Sequence, residues 1–218
     1  SNTSVVTVAK AMIFAAMNNE SGTVDAPLTT ITPSVSYGYG VKTYAITGSL
    51  PTGLSFDTST GEISGTPTNV ATSNLTITAT DGNGTTASQS FTLTIGKATL
   101  AAPTSIVLTP RIGSTSIVDL TFTSIAHAAE TRVNVRVKGS SVDFIDKTVL
   151  SSDYIGGLTG GTVYEVRLIS IGDHIDYNDS AYSSTFEVTP FAPAQTPVIT
   201  TQPLTQTKTT GQSLTVTV

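Results

Sequence analysis

The chain has 218 residues, a formal net charge of −5, and neither Cys nor Trp. Charged residues make up 11% of it, whereas 42 Thr and 25 Ser fill about a third of the positions. This composition excludes a disulfide scaffold, a thiolate metal site and a coiled coil, and the acidic balance argues against nucleic acid as a partner.

The first segment, residues 5–17, leaves two interpretations open. Its apolar residues fall near helical spacing, but it also contains β-forming pairs, so it is a helix or a first strand. No apolar run in the chain approaches the roughly 18 residues of a membrane helix. We therefore expect no membrane insertion.

Further along the chain, apolar and polar residues alternate with a period of two, which predicts β-strands with one buried face. The pattern is clearest in residues 74–80, 91–95, 118–123 and 132–138. Gly, Pro and Asp-Gly turns separate such strands at short intervals. The sequence thus predicts an all-β fold of tandem antiparallel β-sandwiches.

Three blocks follow from the positions of the last strands and of the Pro-rich segment. They are residues 1–97, 98–190 and 191–218. Because the joint at Lys97-Ala98 is very short, we expect two separate cores on either side of it and no free tumbling between them.

The first block contains the string GSLPTGLSFDTSTGEISGTP at residues 48–67. This string resembles the putative-immunoglobulin, cadherin-like repeat of bacterial surface proteins, and the likeness extends over residues 24–95. In this motif Gly53 and Gly61 allow turns that other residues resist, and Pro67 ends a short strand.

The second block contains the string LTGGTVYEVRL at residues 158–168. It resembles the fibronectin type III domain, which implies a buried Leu158 and a corner Tyr164 whose hydroxyl bonds back to the preceding turn. Phe122 stands where that family usually carries Trp.

The third block, residues 197–218, resembles the opening of an immunoglobulin-like domain. Its pattern provides only two strands, which cannot close a core. We expect it to be a truncated domain and the chain to be an excerpt of a longer protein.

Catalysis finds little support in the sequence. The chain has two His residues, His127 and His174, and no Gly-x-Ser-x-Gly turn. The spacing of His127 and Glu130 would place two metal ligands on one face only in a helix, so we interpret them as solvated loop residues. We predict that the chain is not an enzyme.

Calcium is the only cofactor that the residues suggest. Asp173, Asp176, Asn178 and Asp179 put four oxygen-bearing side chains into seven residues, and the last three resemble part of the cadherin calcium motif. The resemblance of the first block implies Asp57 and Asp81 as further calcium ligands, so that six residues are candidates for a metal site. The alternative is that these residues bond their own backbone in ordinary turns.

Two tyrosines, Tyr177 and Tyr182, flank the acidic loop and are the candidates for stacking on a sugar or a protein. The sequence leads us to expect a secreted or cell-surface segment that acts as a stalk or adhesion spacer, with the neighbouring domains of its own chain as partners. The alternative is a module that binds a glycan or a host or cell-surface protein, or that assists a carbohydrate-active enzyme.

Overall fold

The computed structural model describes residues 10–149, 153–196, 198 and 210–211. Over these residues the chain forms strands and connecting turns without a helix, and so without any helix able to cross a membrane. The first module, residues 10–97, contains β1 (Ile13–Phe14), β2 (Glu20–Thr23), β3 (Val35–Ser36), β4 (Thr43–Thr47), β5 (Leu54–Phe56), β6 (Ile63–Gly65), β7 (Ala71–Thr80) and β8 (Thr86–Gly96).

The strands of the joint and of the second module, residues 98–190, continue the chain order. They are β9 (Ala98–Thr99), β10 (Thr104–Pro110), β11 (Val118–Thr123), β12 (Glu130–Val137), β13 (Ile145–Val149), β14 (Asp153–Ile155), β15 (Tyr164–Ile171), β16 (Tyr177–Asn178) and β17 (Phe186–Val188). The all-β prediction is confirmed. The open choice at residues 5–17 resolves as the short strand β1 in its described part, because Phe14 is buried against the sheet.

A four-stranded sheet of order β2-β8-β7-β4 forms the centre of the first module. β7 and β8 pair antiparallel, so that Leu75 lies opposite Phe91 on the buried face. On the outer face the hydroxyls of Thr76 and Ser90 lie 2.8 Å apart. Alternation therefore works here as the sequence predicts, with Thr and Ser bonding across the wet face.

Strand direction departs from the prediction at two places. β2 pairs parallel with β8, and β9 pairs parallel with β16. Both pairs are short, and both bring together segments that are far apart in the chain.

The second module packs a sheet of order β10-β11-β14 on one of order β13-β12-β15-β17. Fully buried side chains from both sheets fill the space between them. They are Val118, Leu120, Val133, Val166 and Leu168. This is the sandwich that the period of two predicts.

The structure accounts for the Leu and the Tyr of the string at residues 158–168. The Tyr164 hydroxyl accepts a hydrogen bond of 2.8 Å from the backbone N–H of Thr159, which is the bond to the preceding turn that the resemblance implies. Leu158 is buried beside Tyr164, and Phe122 packs against the same core while remaining half-buried.

The structure has two separate cores, as expected, but the first of them does not stop at residue 97, contrary to the expected division there. Leu100 and Tyr177 belong to the first module's core, and Ile125 and Ala128 pack against it. The reason is that two loops of the second module turn back over the end of the first. The strands predicted for residues 198–218 fall almost entirely outside the described residues.

The glycines of the first string fill places that a side chain would not fit. Gly53 has a φ of +91°, and a Cβ there would lie 2.0 Å from the carbonyl oxygen of Thr66. Gly61 has a φ of +77°, and its Cβ would lie 2.7 Å from both Pro33 and the ring of Tyr44. Pro67 follows two residues after β6 ends.

Replacing Gly53 by Ala should therefore destabilise the first module through both its backbone and its contact with Thr66. Gly84→Ala is the matched control, because its φ is +82° but nothing lies within 4 Å of its Cβ. We expect Gly84→Ala to lower the free energy of unfolding by about 1 kcal/mol and Gly53→Ala by clearly more. Urea unfolding measures both, and equal losses would show that the close approach has no energetic weight.

Candidate functional site

Within the described residues, the two modules meet in a well-defined joint. The parallel pair of β9 and β16 gives two backbone hydrogen bonds, from the N–H of Ala98 to the carbonyl of Asp176 at 3.0 Å and from that of Leu100 to Asn178 at 3.2 Å. The residues that follow Lys97 are consequently strand-paired rather than a free linker.

The segment that β9 pairs with is the acidic loop, residues 172–180, which we call the joint loop. One oxygen of Asp173, Oδ1, accepts hydrogen bonds of 2.8–2.9 Å from the backbone N–H groups of Ile175, Asp176 and Tyr177. These bonds, that from Tyr177 foremost, lower the pKa of Asp173. Because hydrogen bonds from three amides favour the ionised carboxylate, Asp173 fixes the shape of the loop at neutral pH.

Two further residues close the joint loop. Gly172 lies so near the carbonyl of Tyr177 that a Cβ would be 2.2 Å from its oxygen. The N–H of Gly172 donates to Asp179 Oδ1 at 2.9 Å. The loop thus has its own internal bonds and presents a defined surface to the first module.

Polar contacts join that surface to three separate segments of the first module. Asp176 Oδ1 accepts a hydrogen bond of 2.6 Å from the N–H of Val70, and Lys97 Nζ donates to the carbonyl of His174 at 2.5 Å. The Tyr177 hydroxyl donates to Asp25 Oδ2 at 2.5 Å. The first-module partners in these hydrogen bonds, Asp25, Val70 and Lys97, lie on different segments. Rotation of one module against the other would therefore break at least one of the three bonds.

The ring of Tyr177 is the centre of the joint and only 8% exposed. The His127 ring stacks on it with centroids 4.7 Å apart and planes inclined by 10°, while His127 Nε2 lies 3.6 Å from Asp25 Oδ2. The hydrogen bond to Asp25, together with burial, raises the pKa of Tyr177 to about 12. The phenol therefore stays protonated and keeps donating over the neutral range.

Backbone strain gathers at the same place. Three of the five non-glycine residues with positive φ in the described chain lie in the joint, namely Asp25, His127 and His174, while Tyr37 and Ser105 lie elsewhere. Such conformations cost about 1 kcal/mol or more each. Their presence indicates that the contacts around Tyr177 determine the backbone locally.

The sequence-predicted calcium ligands are engaged with backbone amides. Asp57 accepts from the N–H and hydroxyl of Ser59, and Asp81 accepts from the N–H groups of Tyr39, Asn83 and Thr85. These hydrogen bonds lower the pKa of both carboxyls, with Ser59 the main cause at Asp57 and Tyr39 at Asp81. Both therefore act as turn-forming residues.

In the joint loop the same holds, because Asp173, Asp176 and Asp179 each accept a backbone N–H, while Asn178 contributes its backbone carbonyl. Within the described ranges, no three His, Cys, Asp or Glu side chains gather as metal ligands would. Calcium binding at these six residues stays a prediction.

The two tyrosine candidates separate in the structure. Tyr177 is covered by His127 and by the first module, so its ring offers no face to a ligand in this arrangement, contrary to the exposed platform that the sequence suggested. Tyr182 is 43% exposed, and the guanidinium of Arg167 lies 3.8 Å from the centre of its ring.

Sequence reasoning missed Asp25, Val70 and His127. His127, interpreted as a solvated loop residue, is half-exposed but stacked on Tyr177. Neither Asp25 nor Val70 carries a local signal, because their partners lie 152 and 106 residues away.

A comparison with protein families supports the resemblance described for the first block. Residues 3–96 match the family described as "Putative Ig domain", which confirms the resemblance carried by residues 48–67. No curated protein matches the chain.

Solved structures similar to the chain contain fibronectin domains. One is the crystal structure of the chicken CNTN1 FN1-FN3 domains, with a TM-score of 0.39 and 14% identity, covering 80% of this chain and 67% of that one. Another is the fn3 domain of the human collagen alpha-1(XX) chain, with a TM-score of 0.36 and 18% identity, covering 45% of this chain and 92% of that one.

Tyr177→Phe tests the hydrogen bond at the centre of the joint. Because the pKa of Tyr177 is higher in the folded protein than its ordinary value of 10, its contribution to stability is complete below pH 10 and is lost as the pH rises towards 12. We expect wild type to melt above Tyr177→Phe at pH 8 and the gap to close between pH 10 and 12. Tyr182→Phe, which alters an exposed tyrosine outside the joint, should show no such gap. A pH-independent difference for Tyr177→Phe would contradict the assignment.

Proposed function

We propose that the chain is a non-enzymatic, extracellular modular segment that holds neighbouring domains of a larger surface or secreted protein at a fixed spacing. The proposal rests on the joint, where main-chain pairing, side-chain hydrogen bonds and buried apolar groups all connect the two modules. A spacer needs such a joint more than it needs a reactive group.

Three features of the joint support this function. The connection between the modules consists of Lys97 and β9 only, and β9 is itself paired with β16. Tyr177 and Leu100 bury apolar surface in the first module's core. Domains within one chain ordinarily move relative to each other unless their interface is extensive. Here bending would expose those side chains and break the bonds at Asp25, Val70 and Lys97 together.

Location outside the cell belongs to the same proposal. Immunoglobulin-like domains are commonly extracellular, and the chain contains a match to one. The outer face of the first module's central sheet carries Thr and Ser rather than charged residues, and the chain has no Cys that oxidation would alter.

A distance measurement between the modules tests the proposal. Because the chain has no Cys, Asn83→Cys and Ser141→Cys place one spin label in an exposed turn of each module. We expect a single narrow distance distribution by pulsed electron resonance. A broad distribution in the wild-type background would refute a fixed spacing.

Variants then show whether the joint produces the narrow distribution. Tyr177→Ala should broaden it severalfold, since it removes the stacking on His127 and the bond to Asp25, whereas Tyr182→Ala should leave it unchanged. Thermal unfolding of each variant checks that both modules remain folded. A distribution that stays narrow in Tyr177→Ala would assign the rigidity to something other than this contact.

A further inference from the structure

All four arginines of the chain lie in the second module. Three of them form ion pairs with carboxylates: Arg111 with Asp119, Arg132 with Glu130, and Arg136 with Glu165. Arg167 has no such ion pair in the part of the chain that the structure describes. It differs from the other three in what surrounds its charge.

Two aromatic rings enclose the Arg167 guanidinium. Its central carbon lies 4.0 Å from the centre of the Phe144 ring and 3.8 Å from that of Tyr182. Both distances fall within the range of cation–π contacts, and the Phe144 ring also lies 4.4 Å from the central carbon of Arg136. Cation–π contacts of this kind restrict the motion of the guanidinium and shield part of it from water.

A long hydrogen bond to Asn134 also restrains the guanidinium. Arg167 Nε donates to Asn134 Oδ1 at 3.4 Å. Asn134 is 1% exposed, and its amide nitrogen donates in turn to Asp146. The side chain that orients Arg167 is therefore itself held in place.

With two rings against the guanidinium and Nε engaged, the remaining donors of Arg167 are its two terminal nitrogens. A guanidinium edge matches the two oxygens of a carboxylate in geometry and charge. Since the rings and Asn134 already restrict the arginine, a ligand has little side-chain freedom left to remove.

We propose that this Arg167 clamp, made of Arg167, Phe144, Tyr182 and Asn134, binds the carboxylate of an acidic sugar, a uronic acid. Tyr182 is 43% exposed, so its surface extends beyond the arginine and is available for stacking on the C–H face of a pyranose. A uronic acid provides that face and the carboxylate in one ring.

The charge around the clamp favours a sparsely charged sugar over an acidic peptide. On the same sheet Glu165 is paired with Arg136 and Glu187 with Lys138, Asp146 accepts a hydrogen bond from Asn134, and the chain as a whole carries −5. Since Arg136 and Lys138 are already paired, Arg167 offers a place for one carboxylate, and the net negative charge of the chain disfavours a densely acidic ligand. The proposal goes beyond the spacer function and does not depend on it.

Titration with trigalacturonic acid, followed by NMR chemical shifts or calorimetry at low salt, tests the clamp. We expect saturable binding, reduced about tenfold or more in Arg167→Gln, since hydrogen bonds between charged groups carry that much affinity. Arg167→Lys should lose nearly as much, because an ammonium keeps the charge but not the planar edge. Arg132→Gln is the matched control on the same sheet and should bind within about twofold of wild type.

The remaining comparisons separate the alternatives. Tyr182→Ala, at an exposed position where folding is not at stake, should weaken binding severalfold, and a neutral galactose trimer should not bind. Equal affinity for triglutamate would overturn the assignment to a sugar, and equal losses in Arg132→Gln and Arg167→Gln would reduce the clamp to general electrostatics. Absence of binding to trigalacturonic acid would refute the proposal. The spacing measured between the modules should stay the same in every variant.

Discussion

The structural role of the aspartates in this protein is to accept hydrogen bonds from backbone N–H groups. At Asp57, Asp81 and Asp173 the carboxylate replaces the missing carbonyl of a tight turn, and at Asp176 it does so across the joint, where it accepts the N–H of Val70. An ionised acceptor makes these hydrogen bonds stronger than neutral ones. Without them the joint loop would lose its shape, and the surface that meets the first module would be lost with it.

The joint follows from that loop. Once Asp173 has fixed residues 172–180, the ring of Tyr177 points into the end of the first core and its hydroxyl reaches Asp25. The positive φ values of Asp25, His127 and His174 oppose this arrangement, and burial of Tyr177 with its hydrogen bond offsets them. Strain concentrated at a contact between modules indicates that the contact holds the backbone, rather than the reverse.

The sequence predicts what depends on near neighbours. Alternation gives β7 and β8, the string at residues 48–67 gives the turns at Gly53 and Gly61, and Tyr164 is found through its own motif. The joint escapes prediction because Asp25 and Tyr177 are 152 residues apart and carry no shared pattern. The density of oxygens in the joint loop suits a calcium ion and a set of backbone amides equally well. Only their placement in space distinguishes the two, which is also why His127 looked like a solvated residue.

The joint and the Arg167 clamp are independent features, but a rigid joint affects how strongly several such sites bind one polymer. A site that contacts one carboxylate and one face of a sugar buries little surface area. Such a site binds weakly, because few contacts must offset the entropy that the ligand loses on binding. Weak sites gain affinity when several engage one polymer, and the gain is greatest when the distance between them matches the ligand's repeat. A joint that resists bending fixes such a distance, whereas a flexible one spreads it over many values. If adjoining modules carry further sugar sites, the contacts around Tyr177 set how strongly they act together, without touching the ligand.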